Sequence, residues 1–293
     1  MNARLLGLIA LSSLFVPCAT DLYAQSPVLA DGAELIKVGD GYKFTEGPAA
    51  DSDGNVFFTD QPNDRIVRYD FASGKLSDWL SPCGRSNGLY FVAPDQIIAC
   101  ADADNQLWRI SLRDKSHSVL AATTEGRRFN GPNDCWVDDQ ASIYFTDPLY
   151  KRPYWTQVIP GDSPRGVYRL SPDGKLTKVA SDFKQPNGII GDNENKTLYV
   201  ADIGAKKTYK YSIREDGSLG QRSLFCESGS DGMTIDQNRN LYLTGGKGVT
   251  VYNPSGELIE TISVPKGWTA NVTFAGPNRD QLFITAGDSV FTI

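Results

Sequence analysis

Six times along this chain an acidic or amide residue, usually followed by Gly, opens a short apolar run, and this repeat limits the fold more than any other feature. The instances are Glu46-Gly-Pro, Asn87-Gly-Leu, Asn133-Asp-Cys, Asn187-Gly-Ile, Asp231-Gly-Met and Asn271-Val-Thr. They recur at intervals of about 40 to 55 residues, the period of propeller blades with four strands each. The repeat predicts an all-β chain folded as a six-bladed β-propeller. In that architecture the first strand of each blade lines a central channel. Six equivalent oxygen-bearing side chains are then directed toward one axial region, an arrangement suited to a metal ion.

A second signal, ending about 14 to 15 residues after the start of each motif, is a set of apolar, β-branched and aromatic runs: residues 56–60, 97–102, 143–147, 198–202, 241–245 and 282–286. Turn clusters such as Asp51-Ser-Asp-Gly54 separate the two signals and supply hairpin chemistry. These runs read as second strands. Third strands are predicted at residues 65–69, 106–110, 166–170, 207–211 and 248–252. One connection breaks the rhythm. Pro148 to Pro164 leaves a second strand as a long insertion carrying Tyr150, Lys151, Arg152, Tyr154 and Trp155. Such a loop is either a ligand-binding element, with Tyr154 and Trp155 as candidate stacking residues, or a surface loop folded on its own aromatics.

The N-terminus couples Arg4 to an apolar run from Leu5 to Val16, too short to span a bilayer. It reads as a signal peptide over residues 1–24, which leaves residues 25–293 as a single propeller domain and places the protein in the periplasm or outside the cell. No later stretch reads as a membrane span. The net charge of -6, with no block of Lys or Arg, lacks the electrostatic footprint of a nucleic-acid binder. Cys83, Cys100, Cys135 and Cys226 allow three pairings, and buried unpaired thiols are an equal alternative.

Chemistry is bounded by the single histidine, His117, which the repeat phase puts on an outer strand or its turn. A Ser-His-Asp triad or a histidine-ligated zinc would need it at the channel. What remains is hard oxygen chemistry. Glu46, Asn133, Asn187 and Asp231 offer two carboxylates and two amide carbonyls, a set suited to calcium, magnesium or manganese. Asn-Gly and Asp-Gly are common turn dipeptides, but turn chemistry gives no reason for Glu46.

Phe44-Thr-Glu-Gly-Pro48, Arg128-Phe-Asn-Gly-Pro-Asn-Asp134, Tyr144-Phe-Thr-Asp-Pro148, Gln185-Pro-Asn-Gly-Ile189 and Asp231-Gly-Met-Thr-Ile-Asp236 together resemble the SMP-30/gluconolactonase family of six-bladed propellers, to which the paraoxonases are related. The resemblance runs from about Gly39 to the C-terminus. It implies one divalent cation, calcium foremost with magnesium, manganese or zinc as alternatives, held by Glu46, Asn187 and Asp231 and completed or flanked by Asn133. It also implies that the ion binds a lactone carbonyl while Asp231 helps activate water, and that Arg128, with Asn130, Asn87 and Asn271 nearby, meets a sugar-like small-molecule substrate. The expected function is a metal-dependent hydrolase opening the lactone ring of a sugar acid. The alternative is a non-catalytic propeller that binds a carbohydrate or protein and uses the ion as a structural pin. The chain departs from the family at Ala101-Asp102-Ala103-Asp104, where many gluconolactonases carry a Glu-His pair.

Overall fold

The apolar runs between turn clusters all become strands, because alternating β-branched and aromatic side chains can be buried on both faces between neighbouring sheets. A computed structural model describes residues 26–293, so the predicted signal peptide lies outside the described residues. Six four-stranded antiparallel sheets follow in chain order, starting with blade 1 at Thr45–Ala50, Val56–Asp60, Arg65–Asp70 and Lys75–Leu80. The inner strands of blades 2 to 6 are Ser86–Ala93, Cys135–Val137, Pro186–Asp192, Met233–Ile235 and Asn271–Ala275. Each inner strand packs against the inner strands of the blades on either side, and blade 6 meets blade 1, so the ring is closed.

Closure uses a device the repeat does not reveal. Blade 6 has inner, second and third strands at Asn271–Ala275, Gln281–Ala286 and Ser289–Thr292, and its outer strand is the N-terminal Ile36–Asp40. Pairing Ile36 with Thr292 and Asp40 with Ser289 ties the two ends of the ring together. Among the described residues no helix is long and apolar enough to cross a membrane.

The core lies between blades as separate apolar layers. Trp136, almost wholly buried on blade 3, packs with Ile189, Leu198 and Val200 of blade 4. Cys83, Cys100, Cys135 and Cys226 are buried free thiols, which decides between the sequence alternatives in favour of packing. His117 begins the outer strand of blade 2 and stacks on Trp108 at 3.7 Å between ring centroids, far from the channel in sequence phase and in blade position.

The motif glycines have a physical reason other than turning the chain. A Cβ on Gly47 would lie 2.1 Å from the Asn87 carbonyl oxygen, and one on Gly232 would lie 1.9 Å from the Asn271 side chain. Gly88 meets blade 3 at Asn133 and Asp134 in the same way, and Gly188 meets Asp231 of blade 5. Each glycine therefore lets one inner strand approach the motif of the next blade. The Gly88 N–H also donates to the Asn133 carbonyl at 2.7 Å, a rung between adjacent blades.

Candidate metal centre and ligand pocket

Because each motif residue opens an inner strand, the first members of the six motifs come to one end of the channel. Glu46, Asn133 and Asp231 line a cavity of about 310 Å³ together with Phe44, Tyr150, Arg152, Gln185, Ile203 and Trp268. Asn187 joins them through its carboxamide, whose Nδ2 donates to Asp231 Oδ1 at 2.6 Å and to the Tyr150 hydroxyl at 2.5 Å. The four residues read as a metal set thus converge at one place.

The two carboxylates are both buried. Glu46 accepts from the Gly47 N–H at 3.1 Å and, at 3.4 Å, from Asn271 Nδ2. Burial pushes its carboxyl well above the usual carboxylate range, and the charge of Asp231 adds to the rise. Asp231 accepts from Asn187 and, on Oδ2, from the indole N–H of Trp268 at 2.5 Å. Its carboxyl is nevertheless pushed up to about 6 by burial. Two buried carboxylates that oppose each other's ionisation form a site that is electrostatically incomplete without positive charge.

Their surroundings fit a hard divalent cation. Two carboxylate and two amide side chains supply oxygen donors, with Asn187 using its nitrogen for hydrogen bonds and keeping Oδ1 as an acceptor. No group of three or more His, Cys, Asp or Glu side chains is assembled among the described residues, so the thiolate or imidazole set of a structural zinc site is not formed by them.

The other sequence candidates separate from this set. Asn271 donates to Glu46 and lines the axial channel of about 390 Å³ below the site. Asn87 is buried, and its main-chain carbonyl accepts from Thr59 Oγ1 at 3.0 Å. Arg128 and Asn130 lie in another cleft beside Asp147, Pro164 and Tyr168. There Arg128 Nη1 donates to the Asp104 carbonyl at 3.1 Å, while Asn130 Nδ2 bonds the carbonyls of Asp147 and Pro164 and ties down both ends of the long loop. Tyr154 and Trp155 are not pocket-lining residues either. Their hydroxyl and indole N–H are used on Asp102, at 2.5 Å to Oδ2 and 2.8 Å to the main-chain oxygen.

Tyr150, Arg152 and Trp268 are the pocket residues that motif reading missed. The first two lie in the insertion already marked by its aromatic and cationic content, four and two residues before Tyr154. Trp268 precedes the sixth motif by three residues, in the connection between blades 5 and 6, where only the presence of an indole in a polar segment was a signal.

The sequence profile described as SMP-30/Gluconolactonase/LRE-like region matches residues 44–288. A gluconolactonase of Zymomonas mobilis is 27% identical over an alignment covering 100% of this chain and 87% of that protein. The diisopropyl-fluorophosphatase of Loligo vulgaris is 25% identical, covering 85% and 87% of the two chains. A gluconolactonase structure from Xanthomonas campestris superposes with a TM-score of 0.81 at 28% identity, over 88% of each chain. With the profile spanning all six blades and the motifs meeting in one pocket, the chain belongs to the SMP-30/gluconolactonase/LRE-like family.

Proposed function

We propose that this protein is a metal-dependent hydrolase that opens the lactone ring of a sugar acid. The observation that carries the reading is the pair of buried carboxylates, Glu46 and Asp231, which line a pocket of about 310 Å³ with Asn133, Asn187 being bonded to Asp231 beside it. Relatives of near full-length coverage that bear the name gluconolactonase support the same reaction class. A divalent cation in this oxygen set, calcium foremost, supplies a Lewis acid that polarises a carbonyl and lowers the pKa of water.

The chain's own residues then have separable tasks. Asp231 lies beside the reacting carbonyl and takes the proton of the attacking water, and its orientation is fixed by N–H donors on both oxygens. Glu46, tied by Gly47 and Asn271, acts as a holding group. Gln185, Tyr150 and Arg152 offer hydrogen bonds to hydroxyl groups, while the Trp268 ring offers a face to the C–H side of a sugar. The apolar leader at residues 5–16 supports an exported enzyme.

The test compares hydrolysis of an aldonolactone panel by chelated and calcium-reloaded protein, for wild type and Asp231→Ala. Activity should fall by at least about 1,000-fold on chelation and in the variant, and return on reloading only in the wild type. Full activity in either the chelated protein or the variant refutes the mechanism. Loss of thermal stability on chelation with no lactone turned over at all would favour the binding-protein alternative.

A further inference from the structure

The insertion between the second and third strands of blade 3 is fixed to blade 2 around Asp102. Asp102, buried at the end of that blade's second strand, receives three donors on Oδ2: Gln61 Nε2 at 3.2 Å, Arg152 Nε at 3.2 Å and the Tyr154 hydroxyl at 2.5 Å. Its main-chain oxygen receives the Trp155 indole N–H, and Gln157 bonds the next carbonyl, at Ala103. Arg85 stacks over Tyr154 at 4.4 Å, and Arg152 over Tyr150 at 4.7 Å. The loop is therefore held in one place by a hub at the position where the chain departs from its family's Glu-His pair.

What this hub presents to the pocket is Arg152. The Asp102 bond engages Nε, and neither terminal nitrogen makes a hydrogen bond among the described residues. The residue lines the pocket with Glu46 and Asp231, and its positive charge acts on both carboxyls. Formal charges clarify its use. Glu46 and Asp231 balance a divalent ion and Asp102 balances Arg152, so a neutral lactone would leave the guanidinium fork with only hydroxyl acceptors. A planar fork with two free N–H-bearing ends matches a carboxylate, and matches it better than an ammonium does.

Resting on the lactone-hydrolase reading above, we propose that Arg152 binds a carboxylate carried by the substrate, so that the pocket selects lactones of sugar diacids over neutral aldonolactones. Asp102 acts through Arg152 and is a positioning residue. The selectivity arises in binding rather than in the ring-opening step, because the recognised carboxylate is not the one being formed.

The test uses ion-loaded full-length protein as wild type, Arg152→Gln, Arg152→Lys and Asp102→Asn. Steady-state kinetics are compared for a neutral six-carbon aldonolactone and for the monolactone of the matching aldaric acid. In the wild type the acidic lactone should have the higher kcat/KM. Arg152→Gln should lower that value roughly 10- to 100-fold, mainly through KM, and lower that of the neutral lactone, which loses only hydroxyl contacts, by a clearly smaller factor, so that the ratio of the two falls. Arg152→Lys should retain part of the preference, and Asp102→Asn should move it in the same direction as Arg152→Gln by less. An equal fall in kcat for both lactones, or an unchanged ratio, overturns the proposal. Calorimetric binding of the open-chain aldarate and aldonate to the same proteins provides an arm that needs no turnover. If no lactone is opened the hydrolase reading fails, while tighter aldarate binding that disappears in Arg152→Gln still supports Arg152 as the carboxylate-binding residue. Equal binding of the two acids to wild type refutes it.

Discussion

Replacing Asp231 with Asn should make the ion-stripped protein more stable, even though it should abolish activity. Asp231 is buried, and folding raises its pKa from 3.8 to about 6. Between those values the folded state keeps a proton that the unfolded chain releases, so stability falls as pH rises and the loss is complete above about 6. An increase of that size corresponds to about 3 kcal/mol. A carboxamide has nearly the same shape and no charge to bury. Its oxygen can accept from the Trp268 indole, and rotation of the Asn187 amide lets that residue accept from both the new NH2 group and Tyr150. Equilibrium urea unfolding in chelator should therefore give similar stabilities for the two proteins at pH 4. At pH 8 Asp231→Asn should be ahead by up to ~3 kcal/mol, or roughly 5–10 °C in Tm for a domain of this size. Calcium should then stabilise only the wild type, by about 2.7 kcal/mol at a hundredfold excess over Kd, and narrow or close the gap. A variant less stable than wild type at pH 8 without ion would refute the reasoning, as would a difference that does not change with pH. Equal stabilisation of both proteins by calcium would remove Asp231 from the metal set.

Two structural predictions follow from the ring. A Cβ on Gly191 would lie 2.3 Å from the Trp136 indole across the blade 3–blade 4 contact, so Gly191→Ala should cost about 1–3 kcal/mol by overpacking. In the Trp136→Phe background that cost should largely disappear in urea titrations, and strict additivity of the two substitutions would show that the contact is not the cause. Removing residues 26–41 deletes the strand that pairs with Ser289–Thr292. It should lower Tm by about 10 °C or more and expose a strand edge that promotes self-association on size-exclusion chromatography. An unchanged monomeric profile and Tm would mean that the ring does not depend on this closure.

How much of this was legible in the sequence depended on whether a residue's place is set by its own strand or by a distant partner. Glu46, Asn133, Asn187 and Asp231 could be grouped because each opens an inner strand, and strand phase alone takes them to the same end of the channel. The insertion could be recognised as an exception to the period, but not its inward face. Tyr150 and Arg152 line the pocket while Tyr154 and Trp155 turn to blade 2, an arrangement held by Asp102, some fifty residues earlier, which takes the Tyr154 and Trp155 donors and fixes Arg152 by its Nε. Local composition cannot express that choice. The outer strand of blade 6 was hidden for a similar reason. Ile36–Asp40 reads Ile-Lys-Val-Gly-Asp and makes its pairs with the opposite end of the chain.

Within each motif the two leading positions serve different needs, which explains how a repeated fold carries an uneven site. In four of the six motifs the second position is architectural: Gly47, Gly88, Gly188 and Gly232 each face the next blade's motif at a separation that leaves no room for a Cβ, whereas blades 3 and 6 carry Asp134 and Val272 there. The first position is free of that demand, and its chemistry varies around the ring. Blades 5 and 1 place the carboxylates of Asp231 and Glu46 on either side of blade 6, whose Asn271 donates to Glu46, while Asn187 of blade 4 donates to Asp231. Amides thus flank both acids and brace them by hydrogen bonds without cancelling their charge. On the blade 2 side the Asn87 main-chain oxygen accepts from Thr59, and the insertion anchored at Asp102 brings Arg152 to the pocket. The pocket thereby receives carboxylates from blades 5 and 1 and a guanidinium delivered from blade 3, an asymmetry that sixfold architecture alone does not require.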